Sequence, residues 1–427
     1  MANSLFQAYK LKITTFSPVH IGDMLDFEPT NYVIYNAEDT AIQQPPPLRE
    51  EFVVCPECGY KNKVADLLKN PYCLECDEEL KLPDSKPNVS AAELKIGGTA
   101  YLYTFTPKQL AEVLSDADKK ELLDIARKGN YISLEEFFKK RTAKIVPYAS
   151  MHAEVCSEVY KNYRKKFGNA EEQYGQRNQF VIEKNISNPA TDAAYIPGSS
   201  LKGAIRTALM NMANKKRRLC LDDIKETSDK GVKYSASVAE NLLYGYKKQT
   251  QDPFKYLKIS DTVPLAAYIT KICKAQNHGK ISPVSDIYSY TEIIPQHTDF
   301  SSELAIDTRF SEDINSVCQA CNSFYGSLLE NEQRYMCNTH KVRTEFFNEI
   351  KQKLQEPNTF LLRLGKHCGA ESVTIDGLRR IKVNHGKGKD GKFISEILDH
   401  ATTYWLAENG EEKLPFGWCV AEYEEVK

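Results

Sequence analysis

The stretch Tyr195-Ile196-Pro197-Gly198-Ser199-Ser200-Leu201-Lys202-Gly203-Ala204-Ile205-Arg206-Thr207 constrains this chain more than any other. A short apolar strand end meets a Pro-Gly turn, then two hydroxyl residues, then a helix that runs to the basic cluster Lys215-Lys216-Arg217-Arg218. Lys202 and Arg206 are four residues apart and so share one helical face. A turn with open backbone N–H groups, feeding a helix N-terminus that carries two cations, suits an anion. Gly198 and Gly203 bring no side chain to hold a partner's backbone away. The spacing departs from the G-x-x-x-x-G-K-[ST] loop of nucleotide hydrolases, so the anion expected is the phosphate of a nucleic-acid backbone. Gly198, Ser199, Ser200, Lys202, Gly203 and Arg206 are assigned to it.

A net charge of −2 over 427 residues does not advertise nucleic-acid binding, so the positive charge must be localised. It gathers at Lys161, Arg164, Lys165 and Lys166, at 215–218, at Arg379, Arg380 and Lys382, and at Lys387, Lys389 and Lys392. Each cluster taken singly is better explained as a solvated face, and the one at 215–218 also complements its helix dipole. With 41% hydrophobic and 27% charged residues the composition is that of a soluble globular protein of two domains. No apolar run reaches the roughly 18 residues of a membrane helix. Met1–Phe6 lacks the basic start of a signal peptide, so a cytoplasmic location and no membrane partner are expected.

Twelve cysteines in such a chain point to metal rather than disulfides. Cys55-Pro-Glu-Cys58-Gly59 and Cys73-Leu-Glu-Cys76 form two knuckles that complete a tetrahedral S₄ shell, and zinc fits that spacing better than an iron–sulfur cluster. A second set, Cys318-Gln-Ala-Cys321 and Cys337-Asn-Thr-His340, has nearly the same architecture and predicts a second, Cys₃His zinc ion. The alternative is a buried pair with an incidental histidine. Both shells are closed by four ligands and so are structural.

Strands are expected at 5–15, 32–35, 101–103, 254–261, 290–294, 303–308 and 359–364. Helices are expected after Thr106-Pro107, after the capping box Ser133–Glu136, and over 150–167, 201–218, 236–243, 342–354 and 394–407. Pro45-Pro46-Pro47 opens a zinc insertion that runs to Gly97-Gly98. Gly365 and Gly369, with Lys366 between them, suggest either a second backbone-contacting loop or a plain hairpin turn. Periodicity by itself gives an α+β chain of two domains.

Four segments carry a resemblance. Ile196–Arg206 resembles the I-P-G-[ST]-S-[LI]-K-G-x-[IL]-R signature of the RAMP superfamily of CRISPR effector proteins. Ser17-Pro18-Val19-His20-Ile21-Gly22 resembles its P-V-H-I-G turn, Tyr256–Asp261 its mid-chain strand ending in Ser-Asp, and Leu414–Trp418 its Pro-x-Gly-Trp close. Within the family the pattern is most similar to the subunit that caps the CRISPR RNA 3′ end in type III-A (Csm) complexes. The resemblance implies two ferredoxin-like (RRM-like) domains, at 1–230 with a zinc ribbon at about 45–98, and at 231–427 with a second zinc module at about 315–342. It adds His20, Gly22 and Lys366 to the RNA contacts. It also implies the partners: CRISPR RNA, a neighbouring RAMP backbone subunit, a small helical subunit, target RNA indirectly, and host nucleases for 3′ maturation. The zinc insertions depart from the family pattern.

No G-x-S-x-G or Cys/His catalytic signature occurs. Asp23 and Asp26 lie in the loop after His20, where a related subunit carries its cleaving aspartate, yet turn aspartates commonly serve local hydrogen bonding. The expectation is a non-enzymatic RNA-binding subunit. The alternatives are a metal-dependent endoribonuclease that processes CRISPR RNA, with Asp23 or Asp26 on magnesium, or a type III-B (Cmr) RAMP subunit.

Overall fold

The computed structural model describes residues 6–36, 52–63, 72–73, 75–76, 78, 80, 98–129, 131–166, 180–228, 231–264, 270–280, 287–339, 342–387, 393–409 and 412–426. The chain divides into two compact units, Met1–Leu25 with Glu183–Lys427, and Asp26–Ile182.

In the first unit Tyr9, Leu11 and Ile13 are buried while Lys10 and Lys12 face solvent, the period-two pattern of a half-buried strand. That strand, Phe6–Thr15, is antiparallel to both of its neighbours, Asp299–Asp307 and Trp418–Glu425. Leu257–Ile259 and Thr359–Arg363 extend the sheet on either side. Two helices, Gly198–Arg217 and Ile314–Thr339, pack on its buried face. Leu201, Ala204, Ile205, Ala208 and Leu209 follow helical spacing and share one core with Leu11, Phe300, Phe360 and Trp418. Each such Leu, Ile or Phe side chain contributes about 1.5–3 kcal/mol on burial. The Tyr325 hydroxyl donates to Ala204 O at 3.1 Å and ties the two helices together. A second sheet centres on Lys271–Gly279, between Tyr288–Ile293 and Thr403–Asn409.

The second unit holds an antiparallel sheet of Tyr32–Asn36, Ala100–Thr104 and Ser150–Val155, covered by short helices between residues 107 and 145. Val33, Tyr35, Tyr103, Phe105, Phe137 and Phe138 form its core. Thr106 caps the helix Pro107–Val113 in a capping box with Gln109. The expected box at Ser133 lies inside the helix Tyr131–Lys140 instead of opening it.

The α+β class is as expected, and several boundaries are not. The division read at 230 falls inside the first unit, because the first strand pairs with the last. The helix expected over 150–167 is the strand Ser150–Val155 followed by the helix Ser157–Lys166. The helix expected over 394–407 is two strands, Phe393–Leu398 and Thr403–Asn409, drawn into ladders with Ile381–Lys387 and Lys271–Gly279. The second zinc set is overturned. Cys318, Cys321 and Cys337 lie on one continuous helix, Ile314–Thr339, where 16 residues separate Cys321 from Cys337, a rise of about 24 Å. Cys321 faces the core, completely buried, and His340 lies outside the described residues.

Candidate nucleic-acid interface and metal cluster

The glycine turn is built as expected but uses its donors differently. Gly198 opens the helix, and its N–H donates to Asp261 Oδ1 at 2.7 Å. The chain's own carboxylate therefore caps the helix where a phosphate was expected. A Cβ at Gly198 would stand 2.4 Å from Ile259 O, so glycine here serves the packing of helix against edge strand. Arg206 is also committed internally. Its guanidinium donates to Asp252 Oδ2 at 2.8 Å, Glu240 Oε2 at 2.6 Å and the Tyr246 hydroxyl at 3.1 Å, and it lies over the Phe254 ring. Arg206 is held inside the chain, because these partners take three of its five N–H donors.

What remains open is a groove of about 500 Å³ between the helix start and the edge strand Leu257–Ile259. Ser199, Lys202, Lys258, Ser260 and Glu303 line it. Burial, and then the nearby Lys258 ammonium, lower the Lys202 pKa, and Asp252 offsets part of that effect. Ser199 is exposed, Ser200 is partly exposed, and Gly203 is exposed with nothing near its Cβ position. Lys258 is the groove residue that sequence reasoning missed, although it lies within the Tyr256–Asp261 segment that carried part of the resemblance.

His20, Gly22 and Lys366 meet at a second place. The Lys366 N–H donates to His20 O at 2.8 Å. A Cβ at Gly365 (φ +88°) would stand 2.2 Å from that same oxygen, and one at Gly22 would stand 3.4 Å from His20 Nε2. The His20 ring is buried, with Nδ1 2.7 Å from Glu292 O, and burial lowers its pKa. Lys366 Nζ pairs with Glu183 Oε1 at 2.7 Å. The turn at 17–22 also docks the close of the chain: Trp418 N–H donates to Ser17 Oγ, and Gly417 N–H to Pro18 O, both at 2.8 Å.

Among the described residues the first strand puts one half-exposed ring, Phe6, on the open face of the main sheet, with Lys10 and Lys12 beyond it. Lys10 stands opposite Glu303 and Glu424, and Lys12 opposite Ser301 and Glu422, so charge alternates where single-strand binders of the RRM type place aromatics.

Cys55, Cys58, Cys73 and Cys76 bring their sulfurs within 4.8 Å of one another. The hairpin Phe52–Val54/Lys61–Lys63 supplies the first pair, with Gly59 (φ +73°) turning the knuckle back so that its N–H reaches Cys55 O. The Cys55–Cys76 and Cys58–Cys73 sulfur distances are both 3.6 Å. A tetrahedral zinc thiolate site needs about 3.8 Å between sulfurs. The four residues fit one zinc ion.

The RAMP superfamily model matches residues 12–370. The chain belongs to the RAMP superfamily. No curated protein matches it. Among solved structures, it resembles a chain from the "Cryo-EM structure of Csm-crRNA-target RNA ternary complex in type III-A CRISPR-Cas system", at a TM-score of 0.56 and 17% identity, over 97% of this chain and 100% of that one. It also resembles Csm5 of T. onnurineus, at a TM-score of 0.48 and 15% identity, over 96% and 99% of the two chains. For this RAMP protein the first likeness fixes the fold. Among the described residues no helix is long and apolar enough to cross a membrane.

Proposed function

We propose that this RAMP protein is a non-catalytic RNA-binding subunit of a type III-A CRISPR ribonucleoprotein. In this reading it holds the 3′ part of the CRISPR RNA, caps the backbone filament and assists 3′ maturation by recruiting nucleases. Its neighbours are a RAMP backbone subunit and a small helical subunit, and it meets target RNA indirectly. The observation that carries the reading is that a RAMP fold accounts for nearly the whole chain, overlaying a chain from a complex that contains CRISPR RNA and target RNA. The groove at Ser199, Lys202 and Lys258 supplies phosphate contacts that do not depend on base identity.

Binding without cleavage is supported by the state of Asp23, which with Asp26 lies on the strand Gly22–Phe27 and not in the expected loop. Its Oδ1 accepts the Leu25 N–H at 2.9 Å, a local backbone role. Among the described residues the Cys₄ cluster is the one group of three or more metal-ligating side chains whose ligand atoms all lie within 4.8 Å of one another. One structural zinc ion, held by Cys55, Cys58, Cys73 and Cys76, completes the proposal.

The test is binding of labelled single-stranded RNA across a salt series. A Lys202→Ala, Lys258→Ala double variant is expected to bind all sequences more weakly, with a log–log salt slope shallower by about two. Unchanged affinity and slope would remove the groove from the reading. RNA cleavage in magnesium or manganese by the native chain, abolished by Asp23→Ala with Asp26→Ala, would make the protein an enzyme.

A further inference from the structure

Side chains from three distant segments converge on Glu183. Lys366 Nζ lies 2.7 Å from Oε1, and Thr291 Oγ1 donates to Oε2 at 3.5 Å. The Nε2 atoms of His20 and His367 lie 3.6 and 3.7 Å from Oε2. The two imidazoles are stacked 6.2 Å apart and are only 1% and 5% exposed, whereas Glu183 is 29% and Lys366 54% exposed. The carboxylate thus stands at the mouth of a pocket with the imidazoles behind it. Trp405 and Phe416 wall the His367 ring at 4.4 and 5.1 Å. The neighbouring Glu292 carboxylate is turned to the Asn185 N–H.

The imidazoles hold this carboxylate loosely, at 3.6 and 3.7 Å, while Lys366 pairs with it closely. His20 Nδ1 must carry a proton, because the Glu292 carbonyl beside it only accepts. In the neutral ring, which burial favours, Nε2 is then an acceptor facing a carboxylate oxygen. His367 Nε2 is buried without any hydrogen-bond partner, on a residue held at φ +67°. A shared metal ion does not fit, since the three ligand atoms fail to come within 4.8 Å of one another. A backbone phosphate has the wider reach: two charged oxygens on a tetrahedral centre, with ester oxygens beside them, can meet Lys366 and both imidazoles at once.

We propose that this pocket is a phosphate site for the RNA backbone which the free chain fills with its own Glu183. Binding requires the carboxylate to swing out, so Glu183 opposes RNA while His20, Lys366 and His367 receive it. The proposal rests on the RNA-binding reading and deepens it by naming a built-in competitor.

The experiment compares single-stranded RNA affinity of the full chain as wild type, Glu183→Gln, and Glu183→Gln with Lys366→Ala. Removing the competitor is expected to tighten binding by about five- to tenfold, as the competent fraction rises, and the gain should vanish without Lys366. Tightening that survives the loss of Lys366 is a general charge effect and overturns the proposal. Unchanged or weaker binding by a Glu183→Gln chain of wild-type melting temperature overturns it too. If that variant does not fold, titrating the wild type with inorganic phosphate decides: raised imidazole pKa values at His20 and His367 support the site, and unmoved resonances at saturation reject it. A wild type that binds no RNA at all defeats the functional reading instead, and the inorganic phosphate titration still reports on the pocket.

Discussion

Lys202 and Arg206 lie one helical turn apart, yet their surroundings give them different work. Arg206 is held by Asp252, Glu240 and Tyr246, so Arg206→Ala leaves two carboxylates without their cation. It is expected to lower unfolding stability by about 2 kcal/mol, measured by denaturant titration. Lys202→Ala should change stability by less than about 0.5 kcal/mol while weakening RNA binding, with a salt slope shallower by about one. Burial holds the His20 imidazole below its ordinary pKa, so the unfolded chain takes up that proton first. Its stabilisation is therefore complete above about pH 6.5 and lost as pH falls through the folded value. His367, then Lys366, draw the Glu183 carboxyl down to about 2, an effect that outweighs its burial. That contribution is complete above about pH 4.5 and lost toward the folded value, so it acts in the same direction at lower pH. His20→Asn keeps a donor for Glu292 O without titrating, and should flatten the upper part of a stability–pH curve followed by urea unfolding.

At the scale of elements, the cysteine ribbon is the part whose order depends on an ion. Its hairpin strands are three residues each, too short to persist by pairing alone. One zinc per chain is expected by elemental analysis, and Cys58→Ser should lose it. Chelation should raise hydrogen exchange at the Cys55 and Gly59 amides and leave the main core unaffected. The helix Ile314–Thr339 shows why the second cysteine set misled. Cys-x-x-Cys is a knuckle only when a turn follows, whereas here Val317, Ala320, Cys321, Phe324 and Leu328 form a continuous apolar stripe that packs against the sheet. The region 394–407 erred the other way, since its apolar spacing also suits a helix, and a neighbouring hairpin partner for Phe393–Leu398 and a distant one for Thr403–Asn409 decided for strand.

For the whole molecule, the strand Trp418–Glu425 lies between the first strand and Thr359–Arg363, so the sheet is closed by the end of the chain. Deleting residues from 411 onward is expected to leave the first unit unfolded, seen as insolubility or loss of far-UV circular dichroism structure. Trp418 is fully buried and its Nε1–H donates to Glu332 beside Arg363, so the deletion also strands a buried ion pair.

The sequence by itself determined the α+β class, the glycine turn with its helix, the Cys₄ cluster and the family. Each of these depends on residues that are neighbours in the chain, or on motifs short enough to recognise. Only the tertiary structure decided that Arg206 is internal, that Asp261 caps Gly198, and that Glu183 fills the pocket of His20 and His367. Those outcomes join residues 46, 63 and more than 160 positions apart. Local propensity cannot see such pairs; the burial of a shared core brings them together and then requires every buried polar group to find a partner.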